Sequence, residues 1–125
     1  MQQLVLEEKW KQTISSQDLQ TIEKLFQSTS KHQEGVIFTP IRHARNHRNE
    51  LLCSVIIHNF TDDKLSLIGS TLQLFHNDNI IAEESFHDTR LLLQPRTSMP
   101  WTFIYPNHPY LEQHPLPTEW SIKII

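Results

Sequence analysis

The chain has 125 residues, a formal net charge of −3 and one cysteine, Cys53. A chain of this length can bury about two thirds of its unfolded surface in one domain, so it needs no disulfide or metal to fold. A lone cysteine cannot form an internal disulfide and indicates a reducing compartment, and so small a charge does not attract nucleic acid or acidic lipid.

The N-terminal segment has no features of a targeting signal. It lacks the charged start and apolar core of a signal peptide, and no run in the chain approaches the roughly 18 apolar residues of a membrane helix. We therefore expect a cytoplasmic protein without membrane insertion, present as a monomer or a small homo-oligomer.

Glycine occurs only at Gly35 and Gly69. Phosphate-binding loops use several glycines because the backbone N–H groups must approach the anion closely. The sequence therefore excludes a P-loop and a dinucleotide-binding fingerprint, and we expect no cofactor.

Two helices are predicted in the first third of the chain. Residues 4–12 are expected to form a short first helix. A second begins at Ser15 or Ser16, whose hydroxyls suit an N-cap, and Asp18 complements the positive end of that helix. Apolar residues then recur at helical spacing, and we expect this stripe to pack against the sheets. The stripe consists of Leu19, Ile22, Leu25 and Phe26.

From Gly35 onward the hydrophobic period changes to two, which predicts strands. No helical pattern separates them, so an antiparallel sandwich is favoured over a parallel sheet, with an immunoglobulin-like sandwich as the specific expectation. We expect one domain, in which a helical segment of residues 1–33 packs on a sandwich of residues 34–125. The predicted strands cover residues 35–44, 50–60, 65–76, 80–87, 98–105 and 119–125.

Details of the strand patterns lead to three further expectations. The apolar positions change parity across Gly69, which indicates a bulge or a change of sheet. Trp101 and Trp120 head two period-two strands, and both indoles should be buried in the core. The last strand, residues 119–125, is apolar on both faces and should lie inside a sheet, which leaves the 80–87 arm as the exposed edge.

The residues that could carry catalysis or bind a metal do not form a recognisable site. His43 and His47 are four apart, but they flank a strand end and a turn, and no cysteine or carboxylate lies nearby to complete a zinc set. Ser85 and His87 share a strand face, whereas Asp88 points to the opposite one and cannot orient the histidine. We expect no metal and no enzymatic activity, although a site built from residues far apart in the sequence stays an alternative.

Charge is concentrated in one segment, RHARNHR at residues 42–48, which contains no acid. Such runs are often solvated turns, and the alternative is a patch that binds an acidic partner. A sheet edge that accepts a strand from another protein is a second way to bind one. The candidate partner-binding residues are therefore Arg42, Arg45, Arg48, Glu83, Glu84 and His87.

Several segments together resemble the SLAP domain of Firmicutes such as bacilli, which is named for S-layer assembly proteins associated with the accessory Sec system. They are the helix ISSQDLQTIEKLF, the strand-turn pattern LLCSVIIHNFTDDKLSL, the hairpin LQLFHNDNIIAEESF, the segment LLLQPRTSMPWTFIYP and the closing EWSIKI. The resemblance covers residues 9–125. Its most specific motif consists of Pro95, Arg96, Ser98, Pro100, Trp101 and Phe103.

Two functional hypotheses follow. The resemblance implies a non-enzymatic module that binds a protein partner and assists export or assembly of cell-surface proteins. The alternative is a small hydrolytic or ligand-binding domain whose site is formed by sequence-distant residues. A convergent polar pocket would favour the second hypothesis, and an exposed sheet edge or aromatic patch would favour the first.

Overall fold

The computed structural model describes residues 2–29, 34–76, 78–106 and 120–125, and these are mainly β. The helices are α1 (Glu8–Thr13) and α2 (Ser16–Thr29). The strands are β1 (Gln3–Leu4), β2 (Val36–Arg45), β3 (Leu51–Asn59), β4 (Leu65–Ser66), β5 (Ser70–His76), β6 (Asn79–Phe86), β7 (Leu92–Leu93), β8 (Thr97–Tyr105) and β9 (Trp120–Ile124).

The strands form a sandwich, as predicted. A four-stranded sheet has the order β1-β8-β3-β2, a three-stranded sheet has the order β6-β5-β9, and β4 pairs with β7. Every pair is antiparallel except β1 with β8. Strand β1 was not among the predicted strands, and its parallel pairing with β8 makes the four-stranded sheet mixed. Immunoglobulin-like connectivity stays a prediction.

One apolar core lies between the two sheets. Alternate residues of β3 and β8 point into it in register, for example Val55 opposite Trp101 and Cys53 opposite Phe103. Trp101 is 8% exposed and Trp120 is 7% exposed, and they lie on the two facing sheets. The predicted burial of both indoles is therefore confirmed.

The change of parity across Gly69 marks a change of sheet. Before it, Leu65 pairs with Leu93 in the small two-stranded sheet. After it, Ser70 begins β5 in the three-stranded sheet. Gly69 has a φ of +79°, a conformation that is strained for a residue with a side chain, so this position turns the chain between the sheets.

Strand β9 was expected inside a sheet, and that prediction was wrong. Among the described residues it pairs with β5 alone, so it lies at an edge. Trp120 and Ile122 enter the core, and Ile124, which is 38% exposed, follows them on the same face. The apolar residue on the other face is Ile125, which is 70% exposed. The expected edge at β6 is confirmed.

The helices cover the outer face of the four-stranded sheet. The hydroxyl oxygen of Ser15 accepts a hydrogen bond of 3.1 Å from the backbone N–H of Asp18, which fixes the start of α2. Ile22 of α2 is only 2% exposed, and Ile56 on the outer face of β3 is fully buried. The first helix begins at Glu8, later than predicted, because residues 3–4 form β1. Among the described residues, neither helix is long and apolar enough to span a membrane.

Candidate functional site

A cleft of about 500 Å³ lies between the helices and the outer face of the four-stranded sheet. Its volume is in the range of pockets that bind a small ligand or one or two side chains of a partner. The lining comes from both helices and from β2, β3 and β8. It consists of Lys9, Trp10, Thr13, Ile14, Asp18, Thr21, Ile22, Ile41, Arg42, Ser54 and Thr102.

Local features of the chain open this cleft. Helix α1 is capped at its C-terminal end by Ile14, whose backbone N–H donates to the carbonyl oxygen of Trp10 at 2.9 Å, and α2 begins at Ser16, so the two helices meet at an elbow. In β2 the register with β3 shifts between Pro40 and Arg42. A bulge of this kind turns two neighbouring side chains to the same face, and both Ile41 and Arg42 line the cleft.

The floor of the cleft is a pair of hydroxyl groups. Ser54 and Thr102 face each other on β3 and β8, and their oxygens lie 2.8 Å apart. Each hydroxyl carries one proton, so one O–H is used in this bond and the other remains available to a bound molecule. The floor can therefore donate to and accept from a polar group that enters between the apolar walls.

Three charged side chains stand at the mouth of the cleft. Arg42 Nη1 lies 3.8 Å from Asp18 Oδ1, and both side chains are largely exposed, at 68% and 46%. An exposed ion pair at this distance is weak, so the guanidinium keeps donors for another acceptor. Lys9 adds a second cation, and the mouth therefore has a small net positive charge.

Beside the cleft, α2 covers a buried histidine. His58 Nδ1 lies 2.7 Å from Ser98 Oγ, and its Nε2 lies 3.0 Å from Thr39 Oγ1. Its ring stacks on Phe60 at 5.0 Å and faces Phe26 of α2 at 6.5 Å. Burial lowers the pKa of His58 from 6.5 to about 4, so the ring is neutral near pH 7 and acts as a structural contact between helix and sheet.

The three arginines of the basic segment do not form one patch. Arg42 lies opposite Ser54, on the face covered by the helices, whereas Arg45 lies opposite Leu51, which belongs to the core face. The guanidinium of Arg45 donates to the backbone carbonyl oxygen of Asn49 at 3.3 Å. Arg48 is exposed in the turn, so the structure brings Arg42 alone of the three to the cleft.

The acidic candidates lie on the other sheet. Glu83 accepts a hydrogen bond of 2.8 Å from Gln73 Nε2 on the neighbouring strand. Glu84 Oε1 accepts from the backbone N–H of Ser85 at 3.1 Å. His87 follows the end of β6 and is exposed. These residues belong to the edge of the three-stranded sheet, apart from the cleft on the outer face of the four-stranded one.

The reactive groups considered in the sequence are not arranged for catalysis in the described parts of the chain. Cys53 is fully buried in the core, and this burial raises the pKa of its thiol to about 12, so it is no nucleophile. The Ser85 hydroxyl bonds to the Thr71 hydroxyl at 2.7 Å. Within the described residues, no three His, Cys, Asp or Glu side chains lie close enough to hold a metal ion.

The hydroxyl pair at the cleft floor was not predicted from the sequence. Ser54 and Thr102 are hydroxyl residues at outward positions of β3 and β8, and this was the available signal. That they face each other depends on the register between β3 and β8, which a single sequence does not give. The bulge that brings Arg42 to the cleft left no signal beyond Pro40 inside a strand.

The fold and the cleft define a β-sandwich domain with a helical cover and a surface that can bind a ligand or a partner. The family model of the SLAP domain matches residues 4–125. The chain therefore belongs to the SLAP domain family, as the sequence motifs suggested. No curated protein matches the chain. No solved structure matches it.

Proposed function

We propose that this protein is a non-enzymatic protein-interaction module that assists accessory-Sec-linked export or assembly of cell-surface (S-layer) proteins from the cytoplasmic side. The observation that carries the proposal is membership of the SLAP domain family over residues 4–125, a range that includes both helices and strands β2 to β9. The family is one of accessory interaction domains rather than of enzymes.

The cleft is the part of the surface that best fits such a role. It combines the Trp10 ring and isoleucine side chains with a hydroxyl pair at the floor and cations at the mouth. Sites that recognise a polypeptide commonly join an apolar pocket to a few polar groups that fix orientation. A partner would place an apolar side chain against Trp10 and direct an acidic group toward Arg42 and Lys9.

A ligand-binding role is the second candidate, because one observation favours it. Residues from Lys9 to Thr102 converge on the cleft, as expected of a site built from sequence-distant residues. Native mass spectrometry of the purified protein tests this candidate. A small molecule retained by the unmodified chain and lost when Thr102 is replaced by Trp would favour it over a partner protein.

Site-specific photo-cross-linking in the native cell tests the proposed function. One variant carries a photo-reactive residue in place of Thr21, which lines the cleft. The matched control carries it in place of Gln73, on the outer face of the other sheet. We expect the Thr21 variant to cross-link to an exported cell-surface protein or an accessory Sec component, and the Gln73 variant to capture neither.

Capture of the same proteins from both positions would show that the cleft is not the binding surface. Capture at Thr21 of cytosolic proteins without any exported or Sec component would contradict the assignment to export. Each variant is used only after its thermal unfolding matches that of the unmodified chain, so that loss of capture is not caused by unfolding.

A further inference from the structure

Among the described residues the two larger sheets expose four edges, and three of these are protected against pairing with another chain. Strand β1 has only two residues. Strand β2 contains Pro40 and a register shift beside it. Short strands, prolines and bulges are devices by which proteins prevent edge pairing.

Strand β6 is protected by charge as well as by a bulge. Its register with β5 shifts between Leu74 and Phe75. Glu83 and Glu84 place carboxylates on its two faces, and the Glu84 side chain already occupies the backbone N–H of Ser85. A strand that approached this edge would meet both negative charges and an N–H that is already bonded.

Strand β9 has none of these devices. It contains five residues, Trp120–Ile124, without proline and without a register shift against β5. Its one charged residue is Lys123, whose ammonium lies 5.0 Å from the centre of the Phe75 ring. Phe75 belongs to β5, so the lysine leans toward the middle of the sheet and away from the edge.

The backbone of β9 presents a regular row of unpaired groups on its outer side. Ile125 donates its N–H to the carbonyl oxygen of Thr71 at 3.1 Å, which identifies a hydrogen-bonded pair. Antiparallel pairs alternate, so Lys123 and Ser121 also point their backbone groups toward β5. Trp120, Ile122 and Ile124 point theirs outward, where no described strand pairs with them.

A groove of about 420 Å³ accompanies this row. It lies between β9 and β2 and is lined largely by Val36, Ile37, Phe38, Ile122 and Ile124. Ile124 is 38% exposed and the adjacent Ile125 is 70% exposed. A strand added to β9 would therefore bury apolar side chains as well as pair backbone groups.

We propose that β9 pairs with β9 of a second copy of this chain, in antiparallel orientation about a twofold axis at Ile122. In this register Ile122 exchanges both backbone hydrogen bonds with Ile122 of the second copy, and Trp120 does so with Ile124. All of these residues have outward-pointing backbone groups, so the strand is complementary to itself. The two three-stranded sheets join into one continuous sheet across the axis.

The charges fit the same register. Lys123 lies opposite Ser121 of the second copy, so the axis does not bring the two lysines face to face. Like charges directly opposite each other would oppose pairing. A five-residue strand buries little area compared with a stable dimer interface, so the dimer is weak and depends on concentration.

Sedimentation velocity of the purified full chain, from low micromolar to near-millimolar concentration, tests the inference. We expect a monomer at low concentration and a dimer at high concentration. A sedimentation coefficient that stays monomeric over the whole range would overturn the proposal.

Substitutions locate the interface. Ile124→Pro removes an N–H that points away from β5, so the monomer keeps its pairing while the dimer loses bonds. Ile124→Lys is a second variant that places a charge at the half-exposed edge position. Glu83→Pro is the matched control, because it removes an outward N–H at the opposite edge of the same sheet. We expect each Ile124 variant to weaken dimerisation at least tenfold and Glu83→Pro to leave it unchanged.

A gain-of-function variant separates this register from other modes of association. Ser121→Glu places a carboxylate opposite Lys123 of the second copy and is expected to strengthen the dimer severalfold at low salt. Dimers that persist in both Ile124 variants, or that weaken equally in Glu83→Pro, would contradict the assignment to β9.

Discussion

The two faces of the four-stranded sheet differ in what they contain. The inner face carries the apolar residues Val55, Ile57, Trp101 and Phe103 and is closed by the other sheet. The outer face carries hydroxyls and His58, and helices cover only part of it, which leaves the cleft. The inner face therefore determines the fold, whereas the outer face leaves a cleft that can bind a ligand or a partner.

The largest expected effect is on the inner face. Trp101→Ala should lower the free energy of unfolding by about 3–5 kcal/mol, because it removes a large aromatic side chain from a close-packed core. Its neighbour on the strand, Thr102, faces outward, and Thr102→Ala should cost less than about 1 kcal/mol. Chemical denaturation measures both, and equal losses would contradict the distinction between the faces.

The buried histidine of the outer face gives the next largest effect. The pKa of His58 is lowered from 6.5 to about 4 in the folded protein, so the unfolded chain takes up a proton at a higher pH than the folded one. The contribution of His58 to the free energy of unfolding is therefore fully present above pH 6.5. It decreases as the pH falls toward 4, by up to about 3 kcal/mol.

The His58→Gln variant provides the control for that titration. It removes the ionisable ring, so its stability should be nearly constant between pH 6.5 and 4. The pKa of Asp88 is lowered from 3.8 to about 2 by hydrogen bonds from Arg90, and most of its contribution is lost below pH 4. A pH dependence that survives in His58→Gln would refute the role of the histidine.

The smallest effect is expected at the mouth of the cleft. Arg42→Gln should leave the free energy of unfolding nearly unchanged, since its ion pair with Asp18 is long and exposed. Partner capture should weaken by up to about fivefold, as exposed charges contribute about 0.2–1 kcal/mol, and the loss should shrink as salt is added.

Arg48→Gln is the matched control for Arg42, because it changes the same charge in the exposed turn away from the cleft. Capture should be unaffected by it. Equal weakening by the two substitutions would favour the basic turn as a whole, and no weakening by either would remove the arginines from the binding surface.

Much of the inner face could be predicted from the sequence, whereas the outer face and the edges could not. The alternation of Leu51, Cys53 and Val55 gives the buried side of β3 directly, because one face of a strand lies against the core. The N-cap of α2 at Ser15 could likewise be predicted from the sequence. The neighbours of a strand depend on contacts distant in sequence, and so the edge position of β9 was missed.

The cleft likewise could not be predicted from the sequence alone. Trp10 forms a wall of the cleft only because of the elbow at Ile14 and the bulge at Ile41. These features arise from packing between elements, and no residue type specifies them alone. The basic run was visible in the sequence, but only the register of β2 separates Arg42 from Arg45.

We propose that the cleft on the outer face binds the partner. Thr102→Trp fills the cleft from its floor, and Gln73→Trp places the same side chain on the outer face of the other sheet. Quantitative mass spectrometry after affinity capture from native cells should find exported cell-surface or accessory Sec proteins with Gln73→Trp and at least tenfold less of them with Thr102→Trp. Equal recovery with the two variants, at matched stability, would contradict the claim.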